Sequence, residues 1–199
     1  MRGVTGYAAA LDRFVAATER VSFAELHAPY LPLLPKAPGR ILDVGAGIGR
    51  DASVLAEKGH VVTAVEPLLQ FVDVAERTYG EAKIRWVVDS LPKLGRLDKP
   101  DEDYDFILVS AVWHHLTADE RISAMSRLSE LTSPGGILAL SLRNGPAGVG
   151  AHVIPTDSGE TIELAGSLGF ETVVSSLNQP SLIAEKAEVT WSKLAFRRL

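Results

Sequence analysis

Short apolar runs alternate with amphipathic stretches along most of this chain. Residues 40–44, 61–65, 84–88, 106–110 and 137–142 are rich in Val, Ile and Leu, are short for helices, and are bounded by charged or glycine-containing segments, so they read as buried strands. Between them, residues 50–58, 69–79 and 118–131 carry apolar positions at helical spacing. Gly59 stops the first of these helices, and Thr117 starts the last with Glu120 placed to close a capping box. Strand and helix in alternation predict a parallel sheet with helices on both faces. Residues 161–167 read as one more helix, and 170–175 and 189–197 as two more strands. No helix-length segment separates those two strands, so an antiparallel pair is expected at one edge.

Outside this pattern, residues 5–27 place Tyr7, Leu11, Phe14, Val15, Val21, Phe23 and Leu26 at mixed helical spacings. One or two helices are expected there, either packed on the sheet or forming a cap with Tyr7 or Phe14 reaching inward. Residues 31–38 hold Pro32, Pro35 and Pro38 and read as a stiff connector. The acidic run 98–105 reads as a solvated loop, and 143–150 as a glycine-rich loop.

The chemistry concentrates where strands end, which is where open parallel sheets bind ligands. The first strand runs into Asp43-Val44-Gly45-Ala46-Gly47-Ile48-Gly49 and then Arg50. Glycines at a strand-to-helix turn let the backbone approach a ligand, and N–H groups at the helix start hold polar atoms, so a nucleoside is expected. The dinucleotide fingerprint G-x-G-x-x-G would need glycine where Arg50 stands, and here the third glycine comes one position early. Glu66-Pro67 closes the second strand, and a carboxylate there has acceptors for both hydroxyls of a ribose. Asp89-Ser90-Leu91 closes the third, offering a carboxylate for an exocyclic amine and a neighbouring N–H for a ring nitrogen. Taken singly, Glu66 reads equally as a turn acid and Asp89 as a cap; three acids in register at successive strand ends favour a site.

From about residue 40 to 136 these features resemble the class I S-adenosylmethionine-dependent methyltransferases. Asp43 to Gly49 is similar to their first motif, Glu66 to the acidic ribose position, Asp89-Ser90 to the adenine position, Ser110 to Leu116 to the segment after the fourth strand, and Ser133-Pro134-Gly135-Gly136 to the turn before the fifth. The resemblance implies a Rossmann-like α/β three-layer sandwich with seven strands in order 3-2-1-4-5-7-6, strand seven antiparallel. It implies S-adenosylmethionine held by Asp43, Gly45, Ala46, Gly47, Arg50, Glu66, Pro67, Asp89, Ser90, Leu91, Ser110, Ala111 and Val112, with Arg50 on the methionine carboxylate or simply solvated. Trp113-His114-His115-Leu116 stands where relatives often read L-H-H-L. His114 or His115 is a candidate base, and Tyr7, Trp113, Arg143 and Asn144 are candidates for the substrate pocket.

The implied reaction is methyl transfer to an O, N or C nucleophile of a small molecule by in-line displacement, where alignment supplies much of the rate. A protein of the same fold that binds the cofactor without turnover is the alternative, and the early third glycine speaks against an NAD-linked oxidoreductase. With 199 residues the chain is expected to be a single domain, residues 1–35 a helical cap and 36–199 the core. Its net charge of −5 disfavours a nucleic-acid partner, and the Asn/Asp-Pro-Pro-Tyr/Phe run tied to methylation of amino groups on nucleobases and glutamine is missing after the fourth strand. With no cysteine there are no thiolate metal ligands, and no metal site is expected. No apolar run is long enough to span a bilayer and no signal segment is evident, so the cytoplasm is the expected compartment and no membrane partner is expected. Specificity is expected from residues 1–35 and the loop 143–158.

Overall fold

A computed structural model describes residues 6–18, 20–36, 38–97, 103–148 and 152–199. Seven strands form one sheet in order β3-β2-β1-β4-β5-β7-β6. They are β1 (Arg40–Val44), β2 (Val61–Val65), β3 (Ile84–Val87), β4 (Tyr104–Val109), β5 (Thr132–Asn144), β6 (Phe170–Pro180) and β7 (Thr190–Arg198). The first five pair in parallel, whereas β7 runs antiparallel to both β5 and β6. The α-helices among the described residues are α1 (Leu11–Thr18), α2 (Phe23–Leu26), α3 (Arg50–Glu57), α4 (Leu69–Tyr79), α5 (Ala118–Leu131) and α6 (Ser158–Ser167).

Side chains of a strand alternate between its faces, and here that alternation divides the core in two. Leu42, Val44, Ile107, Val109, Leu138 and Leu140 face the layer that holds Met125 and Leu128 of α5 and Ala165 of α6. Ile41, Phe106, Leu108, Ile137 and Ala139 face the layer that holds Phe23 of α2 and Ala52 and Leu55 of α3. Both strand faces are thus covered, which is why the central strands read as continuous apolar runs. Two helices begin with complete capping boxes, Ser22 with Glu25 and Thr117 with Glu120. Asp157 caps α6 by accepting the N–H of Glu160 at 2.8 Å, so this helix starts earlier than the apolar spacing suggests.

Two strand edges near the site differ from the sequence reading. β4 begins at Tyr104, because that ring is buried in the core and Asp105 accepts the N–H of Arg40 at 2.8 Å. The acidic run therefore contributes its last residues to a strand; residues 98–102 lie outside the described residues. β5 continues to Asn144, since its antiparallel partner β7 supplies bonds from Ile137↔Arg197 through Asn144↔Thr190. Arg143 and Asn144 are thus strand residues, and only the stretch beyond them is loop. Registers Val44↔Val65 and Val65↔Val87 bring the carboxyl ends of β1, β2 and β3 level, so that the turns after them lie side by side. No described helix is long and apolar enough to cross a membrane.

Candidate functional site

Two cavities open along the carboxyl edge of the parallel strands. The first, about 330 Å³, is lined by Gly45 and Gly47 after β1, Glu66 and Pro67 after β2, Asp89, Ser90 and Leu91 after β3, and Ser110, Ala111 and Val112 after β4. Its volume is within the range of small-ligand pockets. The second, about 230 Å³, lies beside it and is lined by Asp43, Ala46, Arg50 and Asp51 from the start of α3 and its turn, and by Arg143, Trp191, Lys186 and Lys193 from the antiparallel edge. Tyr7, Phe14, Gly45, Gly47, Ser110, Ala111 and His115 line both and form the wall between them.

The glycine turn is shaped by steric demand. Gly45 has φ +73°, and a Cβ there would lie 2.4 Å from Cγ2 of Val112. Gly49 has φ +82° and precedes α3; a Cβ would meet Ala75 and Trp86 at 3.0 Å. The third glycine lines neither cavity and serves the packing of α3 on α4 and β3.

Glu66 holds this turn in place. One carboxylate oxygen accepts the N–H of Gly47 at 2.9 Å and the other accepts that of Leu68 at 2.9 Å. Burial raises its pKa to about 7 against the pull of those two bonds. Asp89 accepts from Ser90 N–H and Arg96 N–H, each at 2.7 Å. The Ser90 N–H expected to meet a ring nitrogen is therefore engaged by its own neighbour. Ala111 has φ +57°, an uncommon conformation for a residue with a side chain, and its N–H donates to Ser141 Oγ at 2.8 Å.

His115 and Tyr7 meet on the shared wall. His115 Nδ1 lies 2.5 Å from the carbonyl oxygen of His152, and Tyr7 Oη lies 3.0 Å from Nε2. A carbonyl only accepts, so Nδ1 carries the proton, and the Nε2 lone pair accepts the Tyr7 hydroxyl. Desolvation lowers the pKa of His115 and favours this neutral form. The N-terminal segment reaches the site through Tyr7 and Phe14: Phe14 stacks on Phe71 of α4 at 4.8 Å between ring centres, and Tyr7 packs edge-on to both.

Other expected site residues fall elsewhere. Trp113 is fully buried in the core on the α5 side and lines neither cavity, because the short 3-10 turn Trp113–His115 directs it into the sheet. His114 lines only the second cavity; burial drives its pKa down to about 2, and its Nδ1 has no partner among the described residues. Asn144 lines neither cavity: its amide donates to the Thr156 carbonyl at 3.0 Å and accepts the Thr156 N–H at 2.9 Å, pinning the loop that leads to α6. Arg50 binds Asp51 at 2.7 Å and donates to the carbonyls of Thr18 and Val21 at 2.7 and 3.0 Å, tying the end of α1 to the core. Asp43 is buried under the turn, with one oxygen lacking a partner among the described residues; desolvation and the nearby Asp51 raise its pKa.

The sequence reading did not single out Phe71, Glu120, Trp191, Lys186 or Lys193 as site residues. Lys193 had a legible signal, since it shares a face with Trp191 and Ala195 in a strand whose other face is apolar core. The lining of the second cavity thus extends beyond residues 1–35 and 143–158 to the segment 183–193.

Residues 41–136 match the family model described as a methyltransferase domain. An uncharacterized methyltransferase of Mycobacterium tuberculosis is 33% identical over 119 residues, which is 57% of this chain and 58% of that relative. The chain thus covers little more than half the length of this relative. Among solved structures, the 1,6-didemethyltoxoflavin-N1-methyltransferase of Burkholderia thailandensis, with bound 1,6-didemethyltoxoflavin and S-adenosylhomocysteine, superposes with a TM-score of 0.71 at 25% identity, over 98% of this chain and 84% of its own. A TehB-like methyltransferase of Corynebacterium glutamicum shares the fold with a TM-score of 0.69 at 22% identity, over 97% of this chain and 96% of its own. By its strand order and its glycine turn this chain has the Rossmann-like fold of the class I S-adenosylmethionine-dependent methyltransferases, and across residues 41–136 it is similar to their methyltransferase domain.

Proposed function

We propose that the protein catalyses S-adenosylmethionine-dependent methylation of a small molecule, with the cofactor in the first cavity and the acceptor in the second. The observation that carries this reading is the wall shared by the two cavities, where His115 presents its Nε2 lone pair beside the glycine turn. The first cavity suits the cofactor because its charged lining is acidic, Glu66, Asp89 and Glu120, with no lysine or arginine among the described lining residues. Such a lining favours a sulfonium and an ammonium group. Glu66 retains lone pairs for ribose hydroxyls after its two backbone bonds, and Asp89 retains them for an amine. Pro67, Leu68, Leu91 and Val112 supply the apolar sides of the pocket.

When bound, S-adenosylmethionine supplies an electrophilic methyl group whose C–S bond breaks with its electron pair left on sulfur. The protein contributes position and proton transfer. His115, neutral and oriented by the His152 carbonyl, takes the proton of an acceptor hydroxyl or amine at Nε2, in place of the Tyr7 hydroxyl. His114 does not suit that role, since a ring driven down to about 2 is a weak base near neutral pH. Phe14, Phe71 and Tyr7 close over the wall and exclude water. The 1,6-didemethyltoxoflavin bound to the Burkholderia neighbour supports a small-molecule acceptor.

The test is calorimetry with S-adenosylmethionine, S-adenosylhomocysteine and NAD, followed by an assay for S-adenosylhomocysteine release with a panel of small acceptors. Tight binding of the first two and acceptor-dependent release is expected. Binding without release under any acceptor would assign the chain to cofactor binding alone, and preference for NAD would overturn the reading.

A further inference from the structure

Among the described residues the second cavity is a cationic site with no free acid to match it. Register Ser141↔Lys193 and Arg143↔Trp191 puts Arg143 and Lys193 on one face of the β5–β7 pair as diagonal neighbours. Lys186, in the short turn Ala184–Lys186 ahead of β7, lines the same cavity. None of the three has a carboxylate within ion-pair distance among the described residues. Among the described residues Arg143 donates only to the carbonyls of Gly145 and Pro146, at 3.5 and 2.6 Å, and Lys193 only to that of Leu26. Two acids line this cavity among the described residues, and neither is free to answer the cations. Asp51 is held by His27 at 2.8 Å and Arg50 at 2.7 Å, and burial drives Asp43 towards its neutral form.

Arg143 is only 7% exposed, and a buried cation without a counter-charge is costly unless something supplies one. Desolvation depresses the pKa of all three; Arg143, Arg20 and Arg13 depress Lys186 further, and Glu185, the ion-pair partner of Arg20, opposes them. His114 adds an independent sign of a ligand: it is 3% exposed, lines this cavity, and its Nδ1 lacks a partner among the described residues. As a neutral ring with Nδ1 protonated it would donate to an anion. Around the cations the lining is apolar and aromatic, with Val21, Leu26, Tyr30, Ile183 and Trp191.

We infer that the second cavity binds a small carboxylic acid with an apolar or aromatic body, its carboxylate held by Arg143, Lys186 and Lys193 and its nucleophile turned to the wall at His115. Arg143 presents a planar fork that matches a carboxylate, and the two lysines supply point charges. The methyltransferase reading enters only in naming this acid as the methyl acceptor; the anion site stands on the cations themselves. The cofactor also has a carboxylate, but it comes with an ammonium group, which three cations without a matching acid would repel.

The experiment uses wild-type protein and the variants Arg143→Gln, Lys186→Gln and Lys193→Gln. Each is titrated in the calorimeter with hydroxy- and aminobenzoates and with the matching benzamides, both with and without saturating S-adenosylhomocysteine. Separate titrations measure S-adenosylhomocysteine and 5′-methylthioadenosine, which lacks the amino-acid end. The expected result is binding of acids and not amides, at least tenfold weaker acid binding in each variant, and S-adenosylhomocysteine affinity unchanged within twofold. Lys186 makes no side-chain hydrogen bond among the described residues, so Lys186→Gln should fold with an unchanged or raised Tm and keeps the test open if another variant unfolds. The inference is overturned if no acid binds, if amides bind as well as acids, or if the variants weaken S-adenosylhomocysteine but not 5′-methylthioadenosine, which would give the cations to the cofactor. If wild-type protein binds benzoates but not S-adenosylhomocysteine, the anion site stands and the methyltransferase reading fails.

Discussion

The two cavities share a wall and differ in almost everything else. The first is acidic and is built from turns that directly follow parallel strands, with Glu66 after β2 and Asp89 after β3. The second is cationic and is built from the antiparallel edge, with Arg143 and Lys193 brought together by the β5–β7 register. The contrast teaches that the first cavity depends on local chain pattern, whereas the second depends on which distant strands pair. It also separates charges that would otherwise neutralise one another: at about 4 Å an acid and a base in a partly buried site attract by roughly 4 kcal/mol, enough to collapse both sites if they faced each other directly.

The largest expected effect belongs to a residue in neither cavity. Trp113→Ala should cost about 3–5 kcal/mol of stability, as for other large buried aromatics. Denaturant unfolding measures this, and ligand affinities of the fraction that remains folded should be little changed. A variant of normal stability that had lost ligand binding would return Trp113 to the pocket and break the division between core and site.

Next is Glu66→Gln, which belongs to the first cavity alone. It leaves one of the Gly47 and Leu68 N–H groups facing an amide donor and removes the charge offered to the cofactor. A loss of about 1.5–3 kcal/mol is expected, roughly 10- to 150-fold in S-adenosylhomocysteine affinity, with benzoate affinity unchanged. Equal losses for both ligands would show that the cavities act as one.

The same residue sets a pH dependence. Its pKa is raised from 4.5 to about 7 in the folded protein. Between those values the native state holds a proton that the unfolded chain has released, so this group's contribution to stability declines as pH rises from 4.5 through about 7. Ribose hydroxyls donate to the ionised form, so cofactor affinity should weaken as pH falls below about 7, and binding near that pH should release protons. Calorimetry in buffers of different ionisation enthalpy reads the protons, and Glu66→Gln should abolish both effects. In the turnover profile, by contrast, His115 should set an acidic limb below pH 6.5, because desolvation lowers it from that value.

The smallest effect is expected from Thr117→Ala, which removes the cap of α5 beside the first cavity. About 1 kcal/mol of stability should be lost, with a slight weakening of S-adenosylhomocysteine and none of benzoate. Thermal unfolding and the same titrations measure both.

Much of this architecture was legible because it is local. The apolar runs of β1 and β2 and the helix α4 have the bounds that their patterns predict, and the capping box of α5 is formed as its spacing predicts. The glycine turn and the acids at 66 and 89 were legible because each follows a strand whose end is marked in the chain. Trp113 and Asn144 were misplaced for the opposite reason. Whether an aromatic ring on a short turn faces ligand or core, and whether an amide at a strand end faces the cavity or pins Thr156, depends on neighbours far along the chain.

From its sequence alone this protein is bound to be a glycine-turned α/β sheet with acids at its strand ends, since periodicity, turn residues and caps act over a few residues at a time. Only the tertiary structure decided that Arg143, Lys186 and Lys193 share one cavity without a matching acid, that Arg50 is committed to Asp51 and the end of α1, and that Tyr7 closes on His115. Charge pairing and desolvation are set by distance in space, and antiparallel pairing of β7 between β5 and β6 is what brings those residues within reach.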